Sequence, residues 1–149
     1  MNQLKFNQSA AQSVRCGAKT LTSLLIDPQP DTTEERLIEL GGWSEGYTLV
    51  QQVNAAFQAG FIPRALAPVH GGQVVELIEA LSHGKSVVFG RAAITSIQVR
   101  RVEELSDDDI KAEGFDTWAH YAHAWDSNYP KFPTMTNPWC WVIRFEVLK

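Results

Sequence analysis

The run KSVVFGRAAITSIQVRRVEEL, from Lys85 to Leu105, is rich in β-branched residues and reads with a period of two. Such a stretch settles as an extended strand with one face on a core. A sheet is therefore the framework. FIPRALAPV and GQVVELIEA upstream share the period, and Gly71-Gly72 and His83-Gly84 separate the pieces as turns. At the C-terminal end PWCWVIRFEVL closes the chain as a strand with Trp139, Trp141, Ile143 and Phe145 on one face.

Before residue 61 helical spacing alternates with one apolar strand. NQSAAQSVRCG predicts a short helix capped by Asn7 or Ser9 and ended at Gly17; KTLTSLLI follows as a strand stopped by Pro28-Gln29-Pro30. DTTEERLIELGG carries Thr32 and Glu35 at capping-box spacing, apolar Leu37, Ile38 and Leu40, and Gly41-Gly42 as a stop. YTLVQQVNAAFQAG spaces Leu49, Val50, Val53, Ala56 and Phe57 as a helix face. After the long strand, SDDDIKAEG is a helix capped by Ser106 and ended by Gly114, and FDTWAHYAHAW continues as an aromatic-faced helix. The expectation is one α+β domain over 1–149, with helices around a small mixed or antiparallel sheet curled into a barrel.

Composition narrows the function classes. With 149 residues, 44% of them hydrophobic, the chain can bury one core without metals or disulfides. A net charge of −4 argues against broad, charge-driven nucleic-acid binding, and Arg100 and Arg101 are adjacent on a strand, so with Arg91 they form no stripe. The polar start MNQLKFNQSA and the absence of a long apolar run predict a cytoplasmic protein with no membrane partner. Cys16 and Cys140 read as two reduced thiols. His120 and His123 share a helix face, but no third ligand has metal-site spacing, so no metal and no cofactor are expected. Walker, GxGxxG and GxSxG motifs are missing.

Chemistry centres on GAKTLT. Lys19 and Thr22 stand three residues apart, which strict strand alternation would send to opposite faces; a bend at Gly17 would let them share a cavity with Thr20. Trp118, Tyr121 and Trp125 follow helical spacing and read as core, whereas Trp139, at a strand start after Asn137-Pro138, is placed to stack on a base.

These segments, in this order, resemble the ASCH family, whose barrel is related to PUA RNA-binding domains. GAKTLTSLLIDPQP is similar to the GRKTxTRRxIKPQP opening of phage-encoded ASCH proteins, DDDIKAEGF to their xxDAxAEGI, and NPWCWVIRFEV to their NPWVWVIEFE. Positions 31–70 stand as an insertion relative to the smallest members, helical over about 31–60. Ser23, Leu24 and Leu25 replace the arginine-bearing stretch, and Gln73 stands where an aspartate would be. Losing two arginines removes phosphate or carboxylate forks and weakens a nucleotide reading more than a nucleoside one.

Some small bacterial ASCH proteins are amidohydrolases that remove the acyl group from N4-acetylcytidine. The resemblance implies a catalytic set of Lys19, Thr22 and Glu113, with Thr20, Asn137 and Trp139 binding the substrate. Thr22 would be the nucleophile, Lys19 its activator and Glu113 the proton relay. The expected partner is a small nucleoside or nucleobase. The other readings are a non-catalytic module binding RNA or a modified nucleoside and, more distantly, a ribonuclease.

Overall fold

The computed structural model describes residues 2–30, 33–39, 45–60 and 66–149. The long β-branched run forms β4 (Ser86–Arg101), a strand of 16 residues. Its first half pairs with β3 (Val74–Ala80) and its second with β5 (Trp139–Val147), both antiparallel. β2 (Leu21–Leu25) adds antiparallel to β5, and β1 (Gln3–Phe6) adds parallel to β3. The sheet order is β1-β3-β4-β5-β2.

Register shifts at Leu77/Ile78 and between Ile94 and Ser96 let β4 bend and twist. In a flat sheet β1 and β5 would lie about 14 Å apart, three strand spacings. Instead the Phe6 and Phe145 rings approach to 6.0 Å. The sheet is thus a curled half-barrel, and among the described residues β1 and β2 do not pair, so a seam stays open between them.

Two cores share this sheet. On the concave face α1 (Gln8–Arg15) and α3 (Leu49–Gln58) place Ala11, Val14, Val50, Val53 and Phe57 against Trp139, Trp141, Ile143 and Phe145, the face expected from alternation. On the convex face α4 (Asp107–Ala112) and α5 (Trp118–Asn128) pack Ile110, Tyr121 and Trp125 on Leu21, Cys140 and Val142. β5 is therefore buried on both sides. α2 (Glu34–Glu39) buries no residue, and the Arg36 N–H donates to Thr33 Oγ1 at 3.1 Å. Helices α2 and α3 occupy the expected insertion. Arg15 docks α1 by pairing with Glu79 and lying over the Phe89 ring, 4.6 Å from its centroid.

Of the two caps offered by the sequence, Asn7 is the one used for α1, its Oδ1 accepting from the Ala10 N–H at 2.8 Å. Other boundaries differ from the sequence expectation. Thr32, Leu40 and Gly41-Gly42 lie outside the described residues, as does 61–65 of the FIPRALAPV stretch. The rest of that stretch, Leu66 to Val69, bends instead of forming a strand: Pro68 has no N–H for a ladder, and its carbonyl accepts from Asn2 Nδ2. α5 begins at Trp118, where the Thr117 hydroxyl accepts from the His120 N–H, because Gly114 has already turned the chain left-handed at φ 95°. β1 has no counterpart in the sequence reading; its four residues alternate Gln3 and Lys5 outward with Leu4 and Phe6 inward, too short a pattern to stand out.

Past Ile26, Gln29 continues the sheet with its side chain. Its Nε2 donates to the carbonyls of Ile26 (2.6 Å) and Trp139 (2.9 Å), and its Oε1 accepts from the Trp139 N–H (2.8 Å). The carboxamide replaces a backbone rung. Gln29→Leu keeps the bulk but strands the Trp139 N–H and the Ile26 carbonyl, while the Trp139 carbonyl keeps the Ile26 N–H at 3.3 Å, and an unsatisfied buried backbone group costs about 1–3 kcal/mol. The expected result is a lower midpoint in urea with unchanged slope; an unchanged midpoint would make the rung ornamental.

Candidate active site

The site begins where α1 ends. Gly17 turns at φ 83°, and the following loop is pinned from three sides: Lys19 N–H donates to Ser13 O (3.0 Å), Thr20 N–H to Ala112 O (2.8 Å), and Thr20 O accepts from the Phe145 N–H (3.1 Å). Lys19 thus sits in a loop before β2, where strand alternation does not apply. Its ammonium donates to Leu21 O (3.0 Å), Glu113 O (3.1 Å) and Glu113 Oε2 (2.7 Å). Lys19 is 5% exposed and Glu113 4%.

Glu113 is the last residue of α4's terminal turn, and the helix holds it in place. Ser106 and Asp109 form a reciprocal capping box, and Asp109 Oδ1 also accepts from Arg144 at 2.5 Å. Burial pushes the Asp109 carboxyl up, but hydrogen bonds from Ser106 and Arg144 outweigh it and leave it below its ordinary value. Gly114 then turns left-handed at φ 95°, which an L side chain rarely adopts, and packs beside Lys19 and Ser13, whose Cβ atoms would lie 3.4 Å from an added Cβ.

Thr22, with Leu24 and Ile26, faces the concave side of β2; Leu21, Ser23 and Leu25 face the other. Because β2 is an edge strand, both sides of it reach the seam, which holds a cleft of about 460 Å³. Phe6 of β1, Ser13 of α1, Lys19, Thr22, Glu113 and Tyr121 are among its walls. Ser23 Oγ and Tyr121 Oη share a hydrogen bond of 2.7 Å. Glu113 Oε1 is buried with no partner among the described residues. Burial, and then the Glu113 charge, hold the Tyr121 phenol above its ordinary value, and burial raises Tyr129 and the Cys140 thiol as well.

Of the residues named from sequence, Lys19, Thr22 and Glu113 come together in the cleft. Thr20 is exposed, and its contribution here is backbone. Asn137 and Trp139 belong elsewhere: Thr22 pairs with Ile143, four residues along β5 from Trp139, about 13 Å at strand rise. Trp139 is 3% exposed, under the Arg101 guanidinium at 5.0 Å, so it is a core ring and offers no stacking face in this cleft. Asn137 takes a left-handed turn, φ 50°, and its Oδ1 accepts from the Glu103 N–H. His120 and His123 are exposed, and Cys16 and Cys140 are free thiols. Among the described residues no three His, Cys, Asp or Glu side chains converge, and no helix is long and apolar enough to cross a membrane.

Sequence reasoning did not find Ser23 or Tyr121. The one was read as a departure from a family pattern and the other as part of a core stripe. Tyr121 is indeed packed, with rings of Phe115 at 5.8 Å and Trp118 at 5.6 Å, and it also carries its hydroxyl to the cleft.

No family model matches the sequence, and no curated protein matches it. Solved structures do share the fold. The protein EF3133 of Enterococcus faecalis V583 superposes with a TM-score of 0.53 at 17% identity, covering 94% of this chain and 70% of that one. The ASCH domain from Lactobacillus crispatus JV V101 superposes with a TM-score of 0.51 at 13% identity, with the same coverage of both chains. The chain has the α+β fold of an ASCH domain.

The raised Tyr121 phenol has a measurable signature. Its folded-state value lies above the unfolded value near 10, so its contribution to stability is complete below about pH 10 and is lost as pH rises from there towards the folded value. At about pH 11 native wild type and native Tyr121→Phe should give equal tyrosinate absorbance, while in denaturant the variant falls one tyrosine short. A native difference of one tyrosinate would mean the phenol is not held neutral.

Proposed function

We propose that the cleft is an amidase site for a small neutral substrate, an N4-acylated cytosine or cytidine. The observation that carries the reading is the buried Lys19–Glu113 pair, 2.7 Å apart, on the wall of the same cleft as Thr22. A threonine hydroxyl is a weak nucleophile until a base takes its proton. For Lys19 to be that base, its proton passes to Glu113 along their contact, and its amine then turns from that contact to Thr22, a reorientation that the reading requires. Thr22 Oγ then attacks the acyl carbon as its proton passes to Lys19, and the C–N bond breaks as Glu113 delivers a proton to the departing N4. Water hydrolyses the acyl-threonine ester, releasing the carboxylic acid and restoring Thr22. Among the described residues no arginine lines the cleft, and its one cation outside the Lys19–Glu113 pair is the exposed Lys5, a point charge without an arginine's phosphate fork, which suits an uncharged nucleoside better than a nucleotide.

A second reading, a non-catalytic site for RNA or a modified nucleoside, draws on a different observation. The three ammonium hydrogens of Lys19 all go to Leu21 O and Glu113, none to Thr22. In that reading the ion pair is a strut.

Loss of the long-wavelength absorbance of N4-acetylcytidine separates the two. Thr22→Val keeps the β-branched shape and should reduce turnover by ~10³-fold or more with melting unchanged. Lys19→Arg keeps the charge and should be nearly inactive, since arginine stays protonated. Glu113→Gln should lose ~10²-fold or more. Turnover should change by less than about 3-fold between roughly 50 and 300 mM salt. No turnover by wild type, alongside RNA affinity with a steep salt slope, would give the site to the second reading.

A further inference from the structure

Two hydrogen-bonding capacities in the cleft are unspent, and they have opposite sense. Glu113 Oε1 is an acceptor, buried, without a partner among the described residues. The other is a donor. Ser23 and Tyr121 bring two hydroxyl hydrogens to one shared bond. Whichever oxygen donates, one hydrogen is left over, and no acceptor for it is found among the described residues. Ser23 is 9% exposed and Tyr121 3%, so the leftover hydrogen is held at the cleft wall, where water or a ligand oxygen entering the cleft would be its acceptor.

We propose that the Ser23–Tyr121 hydroxyl pair recognises a ligand carbonyl oxygen while Glu113 Oε1 recognises a ligand N–H, so that the cleft selects neutral planar amides and lactams. The proposal rests on the reading of this cleft as an amide site and adds the two residues and the polarity by which the amide is seen. Lys5, among the described residues the one lining cation outside the buried pair, is exposed and screened by solvent, so an anionic ligand gains little from it and meets the Glu113 carboxylate charge inside. Lys19 already cancels that charge, so a cation gains little. Phe115 and Trp125 supply flat apolar wall beside the polar groups. The pair is also held firmly. Ser23 stands on β2 and Tyr121 on α5, ringed by Phe115, Trp118 and Trp125, so each hydroxyl fixes the other's rotation. The high phenol value keeps Tyr121 a donor across the working pH range.

Calorimetry with 2-pyridone, a neutral lactam, and aniline, which has an N–H and no carbonyl, tests this directly. Wild type should bind 2-pyridone. Ser23→Ala or Tyr121→Phe alone leaves one hydroxyl with a free hydrogen and should weaken binding by less than about 3-fold. The double variant should lose about 10-fold for 2-pyridone, the worth of one hydrogen bond, and nothing for aniline. If the double variant fails to fold, Tyr121→Phe with Ser23→Cys takes its place, filling the serine's space with a weak donor. Equal losses for both probes, no loss for either, or no binding of 2-pyridone or N4-acetylcytidine to wild type would overturn the proposal. Pair-dependent lactam binding without N4-acetylcytidine turnover supports the proposal and removes the amidase reading. Unchanged kcat/KM for N4-acetylcytidine in the double variant does the reverse.

Discussion

Burial of β5 on both faces is the constraint on which the remaining architecture hangs. Tryptophans 139 and 141, Ile143 and Phe145 enter one core while Cys140 and Val142 enter the other, so successive residues must be apolar. A slip of one residue would drive indoles into the space of a cysteine and a valine. The strand then sets its neighbours. β4 and β2 take their register from it, α3 packs Phe57 on Trp141 with ring centroids 5.1 Å apart, and the Phe145 N–H fixes the carbonyl of Thr20. The loop that carries Lys19 takes one of its three backbone ties from this strand, the others coming from Ser13 and Ala112.

The Lys19–Glu113 pair joins segments 94 residues apart in sequence. Such pairs are weak stability devices, because desolvating two charges offsets most of their attraction; apolar replacements of similar volume often do as well. Deleting one partner alone is costly, since it leaves a charge in the interior. This pair lies on the cleft wall, where the proposed chemistry would use it. The geometry is expensive in other ways too, requiring a glycine at 114 and a doubly capped short helix to aim one carboxylate.

Much of the framework was legible in sequence because periods of two and 3.6 are local properties. The long strand, the terminal strand, the capped helices and the glycine stops all announce themselves within a dozen residues. β1 did not, since four residues carry too little pattern, and the described part of FIPRALAPV misled because the period-two reading gave no weight to Pro68. At the site, spacing argued against Lys19 and Thr22 sharing a cavity; the backbone bonds of the Gly17 loop, invisible in sequence, remove the conflict. Glu113 came from resemblance alone, for nothing local distinguishes it from an exposed helix end. Trp139 shows the converse error. A tryptophan at a strand start fits a stacking platform and a core equally well, and the packing of a second layer decides between them.

The unpaired seam between β1 and β2 carries a consequence for how such a scaffold can diversify. A closed barrel fixes its girth through an unbroken circuit of backbone hydrogen bonds, so widening it means changing strand number or shear. Here each edge strand is tethered on one side, and side chains of α1 and α5 set the gap. Substitutions such as a larger residue at Ala10 or a smaller one at Trp125 would alter the aperture while every ladder stays intact. The width of the mouth is thus a side-chain property, open to gradual change without refounding the sheet.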